Sequence, residues 1–378
     1  MTHGVAAHPP SSSVRPSRRN WKAVESTRVM LIDDSSVVRS ILDRVISAHP
    51  QFDVVASFAG AGPALEYLQR DSVDIIVLDI EMPCGNGLDA MPELLALSEA
   101  RILVLSSRAE PGGAAAVRAL SIGACDTLAK PGRSSFAGQF GEILLEKLTS
   151  LGRSVARELI PAEPVVIREY DDPGGTLDCI AIGSSTGGIP AMLEFIAEID
   201  DDIRAPILLT QHLPAAFLPF LVRQLAENTP RRVWLAEQGM PVQRDSIYVA
   251  PGNGHMQIAP GRSGACFAIT EDEAGRYMPA VDPMLASVAK RYGKAAVAII
   301  LSGMGRDGLL GVEQIADAGG RVYAQDPATS VVWGMPGVVA RAGIASAILP
   351  PRQIAAHIAA TYRDAIAAAA ETRRRNNV

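Results

Sequence analysis

The chain lacks several features that would decide its class at once. It carries only four cysteines, Cys84, Cys125, Cys179 and Cys266, and no two form a CxxC pair. Thiols so scattered exclude a disulfide scaffold and a zinc ribbon, and read as small buried side chains in a reducing cytoplasm. Its six histidines form no HExxH-type cluster, so no transition-metal site is signalled. No apolar run approaches the roughly 20 residues that span a bilayer; the longest runs only from Ala295 to Leu301. No signal-peptide core follows Met1, and a cytoplasmic protein without membrane insertion is expected. Positive charge is not in excess: 35 basic residues stand against 41 acidic ones, for a net charge of −6. That balance argues against nucleic acid as the main partner.

What is present is ordinary for a soluble globular chain: 378 residues, 48% hydrophobic and 20% charged. At about 100–200 residues per domain, two or three domains fit. Residues 1–27 read as a disordered arm, with His8-Pro9-Pro10-Ser11-Ser12-Ser13 and the charges of Arg15, Arg18, Arg19 and Lys22. From 28 to 150, short apolar runs alternate with helical patterns. The runs are Val29–Ile32, Asp53–Ser57, Ile75–Leu78, Ile102–Leu105 and Cys125–Ala129. Residues 151–176 hold Pro161, Pro164, Pro173, Gly174 and Gly175 and read as a linker. A second alternating block fills 177–366, with runs at Cys179–Ile182, Ile207–Thr210, Ile247–Ala250, Ala296–Leu301, Arg321–Ala324 and Ala345–Leu349. A closing helix is expected from Gln353 to about Thr372, and 367–378 form a basic tail ending in Arg373-Arg374-Arg375. Strands alternating with helices predict an α/β chain with two doubly wound parallel sheets.

In an open parallel sheet, ligands gather outside the carboxyl ends of the strands. Four runs of the first block end there in polar groups: Asp33 and Asp34, Asp79, Ser106, and Lys130. Any one alone is bland; Asp33-Asp34-Ser35 would serve as a helix N-cap. Together they make a pocket of three carboxylates, a hydroxyl and an ammonium. Three carboxylates repel unless a cation joins them, and a hard, oxygen-loving ion such as Mg²⁺ fits. The chemistry suggested is phosphoryl transfer onto Asp79, with Lys130 and Ser106 holding phosphoryl oxygens.

Residues 28–150 resemble a response-regulator receiver domain, through Ile32-Asp33-Asp34-Ser35, Leu78–Pro83, Leu105-Ser106-Ser107 and Ala129-Lys130-Pro131. The resemblance implies a flavodoxin-like fold and a histidine kinase as phosphodonor to Asp79. It also implies Mg²⁺ held by Asp34, Asp79 and the carbonyl of Glu81, with Asp33 acting through water. Thr127 stands where the family often has an aromatic switch residue, and Cys84-Gly85-Asn86-Gly87 where an acidic residue often precedes the glycine.

In the second block, Gly183-Ser184-Ser185-Thr186-Gly187-Gly188 lies between a strand and a helix and fits G-x-S-x-G centred on Ser185. Glycines allow the sharp turn that exposes a hydroxyl. The amides that follow, Thr186 first, stand where an oxyanion would be stabilised. The segment alone leaves a phosphate-binding turn equally open, although G-x-G-x-x-G spacing and a Walker lysine are missing. Two other strand ends decide it. Gln211 runs into His212-Leu213-Pro214, and Leu301 into Ser302-Gly303-Met304-Gly305-Arg306-Asp307-Gly308. Parallel strands put Ser185, His212 and Asp307 on one edge, as nucleophile, base and orienting acid. Their order is not that of the α/β-hydrolases. His255 is a competing base, and Asp282 a competing acid better read as a helix cap.

Residues from about 177 to 360 resemble the catalytic domain of the chemotaxis protein-glutamate methylesterases. The matching stretches are Ile182–Gly188, Gln211–Pro214, Tyr248–Gly252, Leu301–Gly308 and Ala324–Gly337. The resemblance implies a Rossmann-like esterase domain that needs no cofactor. Ser185 is then the nucleophile, His212 the base and Asp307 its orienter, with the Met304 amide in the oxyanion hole. The substrate would be glutamyl methyl esters on chemoreceptors, with glutamine deamidation a second activity. The unphosphorylated receiver would cover the Ser185 edge through an intramolecular contact. Ala280 stands where a serine is more usual. The alternatives are a phosphorylation-gated binding module, or an esterase of a non-motility pathway.

Overall fold

The computed structural model describes residues 26–83, 87–106, 110–130, 139–157, 167–168, 176–262, 264–271 and 277–368. The expected arm (1–27) and tail (367–378) lie almost wholly outside this set, as do Cys84 and most of the linker. Thr27 already belongs to the first strand.

The amino-terminal block runs β1 (Thr27–Ile32), α1 (Ser36–Ser47), β2 (Phe52–Phe58), α2 (Ala61–Leu68) and β3 (Ile75–Asp79). It continues through α3 (Gly87–Leu97), β4 (Arg101–Ser106), α4 (Glu110–Ile122), β5 (Asp126–Ala129) and α5 (Gln139–Arg157). The strands pair in parallel in the order β2-β1-β3-β4-β5, which is the flavodoxin-like order. Val29 to Ile32 and Ile75 to Leu78 are buried throughout, as strands covered by helices on both faces must be. Helix α1 starts where Ser35 accepts the Val38 amide at 3.3 Å, a side-chain N-cap. Helix α5 continues to Arg157, past the boundary expected at residue 150.

The second block opens with β6 (Cys179–Ser184), α6 (Gly188–Glu198) and β7 (Ile207–Gln211), then a 3₁₀ turn (Ala215–Phe217) and α7 (Leu218–Ala226). Next come β8 (Arg232–Leu235), β9 (Ser246–Val249), β10 (His255–Gly261), β11 (Gly264–Thr270) and α8 (Val281–Tyr292). It closes with β12 (Ala296–Ile300), α9 (Leu309–Asp317), β13 (Arg321–Gln325), α10 (Met335–Arg341), β14 (Ala347–Leu349) and α11 (Pro351–Thr361). Seven of these strands form a wholly parallel sheet in the order β14-β13-β12-β6-β7-β9-β8. Strand order reverses beside β6, so a crevice opens between the ends of β6 and β12. The antiparallel hairpin β10–β11 is an addition that the sequence reading did not contain. Helix α11 stops at Thr361, and Tyr362 interrupts what had been expected as one long closing helix.

Cys125 and Cys179 are buried and Cys266 half-buried; burial pushes the Cys125 thiol up to about 11. Among the described residues no helix is long and apolar enough to cross a membrane.

The two sheets do not stand apart. Helix α4 packs on α6, on α7 and on the 3₁₀ turn before it. Val117 and Leu120 belong to one contiguous cluster of buried side chains with Ile189, Phe217 and Leu221. On the α5 side, Phe140, Leu144 and Leu148 share a cluster with Val332, against which Met304 and Val331 pack.

Candidate active site and phosphoacceptor pocket

At the carboxyl edge of the first sheet the structure gathers the expected cluster. Asp33 and Asp79 are buried and Asp34 is exposed, and one ligand oxygen from each lies within 4.8 Å of the others. Lys130 Nζ reaches Asp79 Oδ2 at 2.5 Å and Asp33 Oδ2 at 3.0 Å. Burial raises the Asp79 carboxyl against the pull of Lys130 and the Glu81 amide. Burial would lower the Lys130 ammonium, but the two carboxylates outweigh it and hold it above its usual range. Glu81 sits two residues beyond, its amide donating to Asp79 Oδ1 at 3.0 Å. Ser106 Oγ is buried at the next strand end without a hydrogen-bond partner among the described residues. Three carboxylates against one ammonium, all donors oxygen, fit a hard divalent cation. The orphaned hydroxyl is what an oxyanion seated on Asp79 would engage.

At the edge of the second sheet, Ser185 follows the last residue of β6. The turn after it needs glycine: Gly187 has φ +73°, and a Cβ there would strike Val331 and lie 2.8 Å from Ser302 Oγ. Neighbouring strand ends lace the turn in place. Ser185 N donates to Ser302 O at 3.0 Å, and Ser302 Oγ donates to Thr186 O at 2.7 Å. Ser184 Oγ donates to Gln211 Oε1 at 2.6 Å, while Gln211 Nε2 donates to Ser185 O at 2.9 Å. Gln325 Oε1 accepts the Ser302 amide at 2.7 Å. Gln211, Ser302 and Gln325 are buried polar groups at strand ends. Sequence reasoning assigned them no role, and their only signal was a polar residue closing an apolar run.

His212 follows β7 and is tied by its amide to Ser184 O at 3.0 Å. Its Nε2 lies 2.7 Å from Asp307 Oδ2. Nδ1 is buried and has no hydrogen-bond partner among the described residues. With Nε2 donating to a carboxylate, the tautomer left by this network puts the basic lone pair on Nδ1. Tyr277 stacks on the imidazole face, 4.3 Å between centroids and 10° from parallel.

Two helices hold Asp307 by exchanging caps. Asp307 Oδ2 accepts the Val281 amide at 2.7 Å and Oδ1 the Asp282 amide at 3.0 Å, both in the first turn of α8. Asp282 in return accepts the Gly311 amide of α9 at 2.7 Å. The expectation that Asp282 caps a helix holds with a correction: it caps α9, while Asp307 caps the helix in which Asp282 lies. Burial works to raise the Asp307 carboxyl, but the His212 hydrogen bond and charge and the α8 amides outweigh it and hold it low. The helix N-terminus favours the same anionic form. Burial raises Asp282 to about 6 against the Gly311 amide, and the Asp307 charge adds to the rise. The competing base, His255, is buried, and its Nδ1 accepts the Ala280 amide at 3.0 Å. Its visible work is to position the start of α8.

The amides of Thr186 and Met304, the expected oxyanion donors, are engaged by no backbone carbonyl among the described residues. Both residues are touched by the first block. Gly187 N donates to Cys125 O at 2.6 Å, and Thr186 Oγ1 donates to Asp126 Oδ2, which Lys147 also holds at 2.6 Å. Ser150 of α5 meets the Met304 sulfur. Beside His212, a cleft of about 610 Å³ is lined by His255, Gln257, Tyr277, Asp282, Arg306 and Asp307, among others.

Two family models match the chain: a response regulator receiver domain over residues 29–135 and CheB methylesterase over 180–358. A protein-glutamate methylesterase/protein-glutamine glutaminase of Azospirillum brasilense is 39% identical over 363 residues, covering 88% of this chain and 92% of that protein. One from Caulobacter vibrioides is 39% identical over 344 residues, covering 89% of this chain and 99% of that protein. The crystal structure of the Thermotoga maritima CheB methylesterase catalytic domain aligns with a TM-score of 0.47 at 34% identity, covering 49% of this chain and 98% of that one. These matches do not favour the alternative of a silent binding module. With both models matched in order and relatives aligned along nearly their whole length, the chain belongs to the protein-glutamate methylesterase/protein-glutamine glutaminase family, a receiver domain preceding a CheB methylesterase domain.

Proposed function

We propose that the chain is a phosphorylation-activated serine esterase that hydrolyses glutamyl methyl esters, and deamidates glutamines, on chemoreceptors in the cytoplasm. The observation that carries this reading is the His212–Asp307 pair, with Nδ1 without a hydrogen-bond partner among the described residues and the His212 amide tied to the carbonyl of Ser184, the residue before Ser185. Ser185 Oγ attacks the ester carbonyl as its proton passes to His212 Nδ1. The proton then goes to the departing methoxide, and methanol leaves. A water gives its proton to Nδ1 and attacks the acyl-enzyme; Ser185 recovers the proton and glutamate is released. From glutamine the leaving group is ammonia. Asp307 stays ionised and steadies the imidazolium, and the amides of Met304 and Thr186 take the developing oxyanion.

In the receiver, which we assign to residues 28 to the end of α5, Asp79 accepts a phosphoryl group from a histidine kinase. Lys130 and Ser106 hold its oxygens. Asp33, Asp34, Asp79 and the Glu81 carbonyl would hold Mg²⁺, which when bound neutralises phosphoryl charge. The receiver's contacts with Thr186, Gly187 and Met304 support a covered, low-activity state that phosphorylation loosens.

The test is methanol release from a methylated receptor fragment, with and without a small-molecule phosphodonor. Wild type should be stimulated and Asp79→Ala should not. Ser185→Ala should lose about a thousandfold or more, on the scale of other serine hydrolases. Full activity in Ser185→Ala would sink the assignment.

A further inference from the structure

We propose that Tyr277 is a positioning residue for the base: its ring fixes the plane of the His212 imidazole and stabilises the imidazolium that forms when Ser185 gives up its proton. This rests on the Ser185–His212–Asp307 reading and adds to it a residue outside the triad. The imidazole of His212 is held at one edge by Asp307, 2.7 Å from Nε2. A single hydrogen bond leaves the ring free to rock about that bond, which would change the direction in which Nδ1 presents its lone pair. The aromatic face of Tyr277, 4.3 Å away and inclined by only 10°, removes that freedom. The His212 side chain is 9% exposed and Asp307 6%, so the pair works where water screens little and an aromatic face counts for more.

Tyr277 also reaches the loop that carries Met304. A Cβ built on Gly305, at φ +92°, would lie 2.8 Å from the Tyr277 hydroxyl oxygen. The glycine therefore lets that hydroxyl end sit against the backbone one residue past the expected oxyanion amide. One side chain thus spans the base and the oxyanion loop. It stands four residues before Val281, whose amide holds Asp307. The ring of Tyr277, the acid and the start of α8 are in this way referenced to the same short piece of backbone. The opposite base candidate, His255, has its Nδ1 committed to Ala280 and does not compete for this place.

The expected behaviour separates stacking from mere bulk. In the phosphorylated full chain, Tyr277→Ala should lower kcat for methanol release about tenfold, between the exposed and the desolvated ends of the cation–π range. KM should stay within about twofold, because an interaction that strengthens as charge develops acts on the chemical step. Tyr277→Phe keeps the π face and should recover most of kcat. Tyr277→Leu keeps bulk without a π face and should behave as Tyr277→Ala does. Thermal melting of each variant confirms that it is folded. The proposal is overturned if Leu matches Phe, if Tyr277→Ala leaves kcat unchanged, or if the loss appears in KM alone, which would make Tyr277 a wall of the substrate cleft. Ser185→Ala is run alongside: residual full activity there would overturn the triad, a result distinct from any failure of the Tyr277 variants.

Discussion

Gly113 offers a way to open the molecule without touching either active centre. It lies in α4 on the face turned to the esterase block. A Cβ built there would stand 2.6 Å from Phe220 Cε2, 3.0 Å from Phe220 Cδ2 and 3.1 Å from Phe217 Cδ1. Leucine would add four carbons where the first does not fit. Forcing extra methylenes into a packed contact costs about 1–3 kcal/mol. Within the receiver alone the substitution carries no such cost, since replacing a helical glycine gains roughly 0.5–1 kcal/mol. The penalty therefore falls on the docked arrangement. At about 1.4 kcal/mol per factor of ten, it shifts the docked-to-open balance by about 5- to 150-fold. Gly113→Leu should accordingly raise the basal rate of methanol release without phosphodonor by about tenfold. The phosphorylated rate should be unchanged, so the stimulation ratio collapses. Gly113→Ala, with only the first methyl, should give a smaller rise. A folded Gly113→Leu chain with wild-type basal rate and wild-type stimulation would refute the idea that this contact restrains the esterase.

Two further outcomes follow from the second site. Asp282 has its folded pKa raised from an ordinary 3.8 to about 6, so its contribution to stability is present below pH 4 and lost as pH rises through 6. Asp282→Asn can still accept the Gly311 amide and donate to Asp307; discounted for partial exposure, it should stabilise the chain by about 1–2 kcal/mol at pH 8 and by almost nothing at pH 4. Denaturant midpoints at the two pH values measure this, and an equal gain at both would contradict the assignment. Gly187→Ala places a side chain at φ +73° against Val331 and Ser302; it should cost about 2–4 kcal/mol and abolish esterase activity, and a melting curve indistinguishable from wild type would show the turn to be less constrained than its geometry requires.

The polar strand ends were legible because physics forces them into view. A strand buried on both faces reads as an unbroken apolar run, and whatever polar residue closes it lies at the sheet edge. That is how Asp33, Asp79, Ser106 and Lys130 on one sheet, and Ser185, His212 and Asp307 on the other, could be placed before any coordinates. Helix α3 gives a weak signal in the sequence because it opens on Gly87 and contains Pro92, both of which blur a helical period. The start of helix α4 is hard to see in the sequence because Pro111, Gly112 and Gly113 fill its first turn, where proline is tolerated and the apolar pattern has not begun. The hairpin β10–β11 and the stack of Tyr277 on His212 depend on partners far apart in sequence. So does the exchange of caps between Asp282 and Asp307, which no local pattern can announce, since each carboxylate serves amides 25 or more residues away.

The placement of β5 explains how one small strand can serve both centres. Lys130, just past its end, holds Asp79 and Asp33. Asp126, at its start, holds Thr186, and the Cys125 carbonyl before it holds the Gly187 amide. Thr127, buried between them, its hydroxyl without a hydrogen-bond partner among the described residues, stands where the family often has an aromatic switch residue. An aromatic there would be free to swap an inward and an outward rotamer; a small β-branched residue is stiff at χ1 and has no bulk to carry across an interface. The strand that joins the two sets of contacts is only four residues long. The contact at Asp126 is charged and half-buried, with Lys147 and Thr186 sharing one carboxylate oxygen. Such a contact is strong when aligned and costly when partly broken, which suits a two-position restraint on the turn that carries Ser185 better than a graded one.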